Sequence, residues 1–389
     1  MKLSRVTVAA AGACAVALAV PTSAPASPAS STVSDPIVGG LLAPLQIDLG
    51  HHGEIYVAQS FSGTLTRVNG DGTTEDLLSE PTGIDAVSSG RRGVAYTTTD
   101  FEEATRSALV KLRKHDGTVK TVADLWPYEQ EKNPDASNTY GFLDLTDECA
   151  AEVDALPPPP PDEGPPVSGE PYTGNEDSHP YALADDGWGG WYVADAGMNA
   201  IVHVTKRGHI STVAVLPPQP VEVTADAATA LGMPECTVGS TFAFEPVPTD
   251  VEVARGGKLI VSLLPGGPEN PSLGARGSVY EVKAGWGGHH RRYGQHGKHG
   301  RVKLIAGGFL GATNVALGDR GRIYVAELFG GKVSVIKHGD VSTVAELPNP
   351  AGVEYQHGKV YVSYDVFPPQ EGPPDGKIAT IEVGRHHHH

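Results

Sequence analysis

Oxygen-bearing side chains recur at matched points of this 389-residue chain. Segments of the form Pro-x-x-apolar place Gln46, Gly83, Ala182, Asp250, Asn314 and Gly352 at one shared position, and Asp48, Asp85, Glu252 and Glu354 two residues later. One carboxylate and two amides, Asp250 with Asn314 and Gln46, are the donors a hard cation such as calcium takes, but such an ion seeks about six or more oxygens. The position just before (Leu45, Thr82, Tyr181, Thr249, Thr313, Ala351) adds no carboxylate or amide. The later acids either form a second ring around a cation or bond the neighbouring backbone. His179 stands directly before one of these segments, as a ligand-contacting group or as a turn histidine whose nitrogens are satisfied locally. A separate loop, Gly287 to Arg301, carries His289, His290, His296 and His299 among four Arg and Lys residues. Four imidazoles suit zinc, copper or nickel. The surrounding cations and glycines fit equally a solvated hairpin extension that contacts a polyanionic polymer or an acidic partner. No nucleophile elbow, HExxH helix or phosphate-binding loop occurs.

Elements that could position these groups follow from a repeat. Gly187 to Pro217 and Gly321 to Pro348 share a WYVADA or IYVAEL run, a short loop, IVHV or VSVI, a turn and STVAVLP or STVAELP. Weaker copies begin at Glu54, Gly93, Lys258 and Lys359. Each copy carries four strand signals, and Gly, Asn and Asp at the turns tolerate the positive φ of tight hairpins. A periodic array of this kind must be read as an array. The expected fold is all-β: a six-bladed β-propeller of four-stranded antiparallel blades. The last copy lacks its fourth strand, and Ile37 to Leu42 is the segment expected to supply it and close the ring. Two insertions interrupt the pattern, 126–178 and 217–245, with a short helix expected within Ala225 to Met233.

Residues 1–26 read as a secretory leader: Lys2 and Arg5, an apolar Val6 to Val20, and cleavage after Ala26 of Ala24-Pro25-Ala26. A lipid-modified Cys14 is the alternative reading. Residues 27–35 are expected to be a disordered linker, 36–384 the propeller, and 386–389 a tag remnant. Cys149 and Cys236 would then remain, one in each insertion, and an oxidising destination makes a disulfide between them the expectation. The net charge is −17, two units more negative once Lys2 and Arg5 depart. That balance argues against nucleic acid or an anionic membrane as the partner. The chain is expected to be secreted and monomeric, with a protein or polymer partner at its loop face.

The blocks SHPYALADDGWGGWYVADAGMNAIVHV, VPTDVEVARGGKLIVSLLPGGP and GSVYEV resemble the ScyD/ScyE family of exported propellers, which are related to NHL-repeat proteins. The resemblance runs from about Pro36 to Val383. It implies the fold, and through the family's name an accessory role in exported secondary metabolism, but carries no catalytic residues across. A further likeness of architecture is to the calcium-dependent lactonases of the gluconolactonase type, which hold a divalent ion at the channel mouth to polarise a carbonyl. Three functions therefore stand: a binding module with its ligand at one channel mouth (Gln46, His179, Asp250, Asn314), a metal-dependent hydrolase using calcium in the channel, and an accessory protein. An ion held by Asp250 and Asn314 would favour the hydrolase; a plugged channel with an exposed apolar rim would favour protein binding.

Overall fold

Alternation of apolar residues with a period of two builds the core, because successive strand residues face opposite sides of a sheet. In the strand Ile55–Gln59, Ile55 and Val57 pack toward Val38, Leu41 and Ile378, whereas Ala58 packs with Leu65 toward Ile84, Val87 and Tyr96. The same division repeats along the chain, so an apolar seam lies between each sheet and the next. Burial at ~25 cal/mol per Å² of apolar surface makes these seams the main source of cohesion.

The computed structural model describes residues 31–158, 166–268, 270–283 and 300–384. They form seven four-stranded antiparallel sheets. Six contain the sequence copies, and their first strands are Pro44–Leu49, Val87–Gly90, Pro180–Asp185, Pro248–Ala254, Ala312–Leu317 and Val353–Gln356. Each of these lies beside the next, and the last lies beside the first. Threonine hydroxyls tie neighbours together: Thr97 donates to the carbonyl of Pro180, Thr249 to that of Ala312, and Thr313 to that of Ala351, at 2.6, 2.8 and 2.9 Å. Gly72 and Gly117, at φ 82° and 85°, turn the third strand into the fourth in the first two copies.

The last of these sheets is completed as expected. Val38–Leu41 pairs antiparallel with Gly376–Glu382, Val38 opposite Ile378 and Leu41 opposite Gly376. The pairing extends further than expected, into residues 32–34 of the segment read as a linker. Val33 bridges Ile381, Ser34 N–H donates to Thr380 O at 2.8 Å, and Glu382 N–H donates to Thr32 O at 3.2 Å. Edge backbone groups of the final strand recruit this segment because they would otherwise lack partners. Residues 27–30, the leader, the polyproline centre, the His289 to His299 loop and the terminal histidines lie outside the described residues.

The seventh sheet was not foreseen. It is built from both insertions, in the order Tyr172–Thr173, Thr139–Phe142, Thr241–Phe244, Gln219–Glu222. Helices α1 (Trp126–Lys132), α2 (Asp147–Asp154) and α3 (Ala225–Ala230) accompany it. Thr146 and Thr224 cap α2 and α3, each accepting a backbone N–H from three residues on. Phe142, Val153, Val223 and Ala228 form its small core. The Cys149–Cys236 disulfide is present, with an S–S distance of 2.02 Å. No helix among the described residues is long and apolar enough to cross a membrane.

Candidate functional site: two ends of a channel

The six first strands surround a channel whose two ends differ. Pairing registers place Gln46, Asp250 and Asn314 at one level, opposite Ala58, Ser262 and Ala326 of their second strands. All three are buried; Gln46 and Asn314 bond each other and the backbone, and Asp250 bonds the backbone. Gln46 Nε2 donates to Thr249 O at 3.0 Å, Asn314 Nδ2 donates to Gln46 Oε1 at 2.7 Å, Val353 N–H donates to Asn314 Oδ1 at 2.9 Å, and Val315 N–H donates to Asp250 Oδ2 at 2.8 Å. Both amide oxygens and one carboxylate oxygen expected to face a cation are thus engaged in a mesh across the channel. Among the described residues, no three His, Cys, Asp or Glu side chains are placed to hold one ion.

Beyond that mesh, toward the C-terminal ends of the first strands, lies a cavity of about 230 Å³. Asp48, Glu252 and Glu354 line it at equivalent register positions, joined by Asp250 above and Asp185 below. The expected second acidic ring is therefore brought together, with one correction. Asp85 is absent from it, because Asp85 N–H and Ala86 N–H are pinned to Thr97 and the strand starts only at Val87, so Ser88 takes the ring position. Among the described residues, no Lys or Arg lines the cavity. Burial raises the Asp48 carboxyl to about 6, even with donors from Ser89 and Leu49, and raises Asp250 to about 7. Glu252 and Glu354 are pushed well up, first by burial and then by the other acids.

At the opposite end, where the first strands begin, acids are spent on structure. Asp195 accepts from Ser178 Oγ, His179 N–H and Met198 N–H at 2.7, 2.8 and 3.0 Å, and Glu327 accepts from Leu310 N–H at 3.0 Å and from Ser334 Oγ. Both sit opposite the first residue of their first strand, as Gln59 does in the first copy. Asp195 and Glu327 thus hold the loops at the entry of their blades. His179 Nε2 lies 3.2 Å from Asp85 Oδ2, between the edges of Phe101 and Tyr181. Burial alone would lower this imidazole, but the hydrogen bond and charge of Asp85 turn the shift upward.

Sequence reasoning missed the residues around this mouth. Phe61, Phe101, Phe329 and Phe367 each follow the end of a second strand by three residues or fewer, and are 62%, 55%, 43% and 43% exposed. The chain has eight phenylalanines, and the other four pack inside. Exposure at a constant place in four copies is not the scatter of a normal surface. The signal was in the repeat itself: IYVAQSF, TTTDF, IYVAELF and VYVSYDVF. Phe329 and Phe367 stack at 6.4 Å. Leu328 and Val366 pack beneath them with Ala351 and Leu45.

Solved structures resemble the chain in fold. An oxidoreductase (glucose dehydrogenase) of Thermus thermophilus, provisionally assigned as such, superposes with a TM-score of 0.50 at 16% identity, over 90% of this chain and 100% of that one. The fold is that of the β-propellers. A gluconolactonase from Xanthomonas campestris gives 0.49 at 10% identity, over 89% of this chain and 88% of that one. Virginiamycin B lyase from Staphylococcus aureus gives 0.44 at 12% identity, over 86% and 94%. No family model and no curated protein sequence matches the chain. At such identities the likeness speaks for the fold and for nothing at the two channel ends.

Proposed function

We propose that the chain is an exported six-bladed β-propeller that works as a binding module, and that a protein with apolar side chains docks on the mouth rimmed by Phe61, Phe101, Phe329 and Phe367. The carrying observation is that rim: four exposed aromatic rings at one recurrent loop position, over a channel crossed by the Gln46–Asn314 mesh. Aromatic anchors of this kind dominate binding energy at protein interfaces. Export rests on the leader-like residues 1–26 and agrees with the disulfide. The ScyD/ScyE resemblance makes an accessory role beside exported metabolism the natural setting. A photo-crosslinking residue at Phe329 should capture a defined partner, while one at Glu75 on the outer strand should not. With that partner in hand, the F329S/F367S pair should weaken binding about 100-fold and leave the melting temperature unchanged. Equal capture from both positions, or unchanged affinity, would overturn the proposal.

The second reading is a metal-dependent hydrolase at the other end of the channel. It is supported by five carboxylates facing one cavity, with Asp250 raised to about 7, where a carboxyl both gives and takes a proton near neutrality.

A further inference from the structure

Six buried side-chain polar atoms among the described residues have no hydrogen-bond partner, and three are oxygens of one seven-residue stretch: Glu129 Oε2, Asn133 Oδ1 and Asp135 Oδ1. Leaving a buried donor or acceptor unmade is costly, and a native fold keeps few such atoms. We propose that Glu129, Asn133 and Asp135 form a binding site for a divalent cation of the calcium class, where α1 of the first insertion meets the sheet of the third copy.

Geometry supports this in three ways. Glu129 and Asn133 lie four residues apart, on one face of α1 and its C-cap, where Asn133 N–H donates to Glu129 O at 2.7 Å. Each of the three side chains is held by its other polar atom. Glu129 Oε1 accepts from Asp177 N–H at 3.3 Å, Asn133 Nδ2 donates to Gly174 O at 3.0 Å, and Asp135 Oδ2 accepts from Tyr140 OH and Asn199 Nδ2 at 2.9 Å each. Such outer contacts fix the orientation of a metal ligand before the ion arrives. Gly174 is part of the same fit, because a Cβ there would fall 2.1 Å from Asp135 Oδ1.

Electrostatics point the same way. Glu129 and Asp135 are both 0% exposed. Burial pushes Glu129 up to about 8, and the charges that act on it belong to Asp195, Asp135 and Asp177, all acids. A cation would relieve that concentration of negative charge. The donors are all hard oxygens, which select calcium over zinc or copper. Two carboxylates and an amide supply part of a shell of about six to eight oxygens; backbone carbonyls and water commonly supply the rest. The inference is independent of the Phe rim and of the acidic cavity.

Terbium is the probe, since Tyr140 bonds Asp135 directly and can sensitise its luminescence. The full mature chain, stripped with EDTA, should bind Tb³⁺ with tyrosine-sensitised emission that Ca²⁺ competes away. E129Q and D135N should each weaken Ca²⁺ about tenfold or more, while E346Q, at an exposed position of the outer strand Asp340–Glu346, should not. A stability measurement at pH 8.5 guards against misfolding. In EDTA, E129Q should melt at or above the wild-type temperature, because it removes an unpaired buried charge; in Ca²⁺ it should melt below, because it removes a ligand. Emission that survives in E129Q, or a melting shift of the same sign and size with and without Ca²⁺, would overturn the site and leave a buried carboxyl kept protonated or bridged by water.

Discussion

The two ends of the channel use the same kind of residue for different ends. At the mouth where the first strands begin, Asp195 and Glu327 accept from backbone N–H groups and hydroxyls of adjoining loops. They act as clamps, and what remains free to meet a partner there is aromatic. At the far end, no hydrogen bond offsets the burial of Glu252, and only its own strand's Tyr355 helps Glu354. Acid content therefore does not locate a site by itself. The difference lies in whether the fold has already supplied the donors.

That contrast can be broken most severely at the insertion end. The Cys149–Cys236 bridge closes a loop with a sequence separation of 87. Chain-entropy reasoning assigns such a closure about 4–5 kcal/mol as an upper bound. A C149S/C236S variant should expose 126–178 to limited proteolysis while the six repeated sheets stay resistant. Protection equal to wild type would show that the seventh sheet holds itself by packing alone, and the bridge would drop out of the account of this mouth.

A smaller effect is expected at the acidic end. Carboxyls raised in the folded state bind protons that the unfolded chain has already released. Folded stability should therefore fall as pH rises from about 4 through the values of Asp48, about 6, and Asp250, about 7. E252Q removes one member and should raise the melting temperature at pH 8 by about 2 °C or more, with no gain at pH 4. A gain of equal size at both pH values would mean that repulsion is not what the substitution relieves.

The smallest effect is the most direct test of the hydrolase reading. The mesh consumes oxygens of Gln46, Asn314 and Asp250, so purified mature protein should show no calcium-stimulated hydrolysis of simple lactones. Calcium-dependent turnover abolished by Asp250→Ala would put catalysis at the acidic end and reverse the functional ranking of the two ends.

What could be read beforehand was what repeats. Four strand signals per copy and the missing last strand led to Ile37 to Leu42, within which Val38–Leu41 forms the closing strand, because an apolar segment without a sheet needs an edge. The register of the second copy was misread, since PTGIDAV mimics the other entries while Thr97 delays the strand to Val87. The seventh sheet was invisible: Thr139–Phe142 and Thr241–Phe244 are four residues each, too short for periodicity, and pair only through distant parts of the chain. Donor chemistry at Gln46, Asp250 and Asn314 was legible, but not the fact that Gln46 and Asn314 bond each other and Asp250 bonds the backbone. The buried Glu129, Asn133 and Asp135 carry no motif, and only burial and the partners of each atom set them apart.

The junction of Val38–Leu41 with Gly376–Glu382 has a kinetic consequence. Thr380 and Ser34 are joined across a sequence separation of 346. During synthesis the first strand of the closing sheet emerges early and must wait for the last one. Until then every partial chain is an open arc whose end sheets have an uncovered apolar face and whose Val38–Leu41 segment lacks its partner, and an unpaired strand is a template for another chain. Non-local closure of this kind is slow to form. Under the export proposed above, a chain held unfolded until it is complete avoids exposing that arc where its neighbours are most concentrated. Its vulnerable period is set by the last strand to appear.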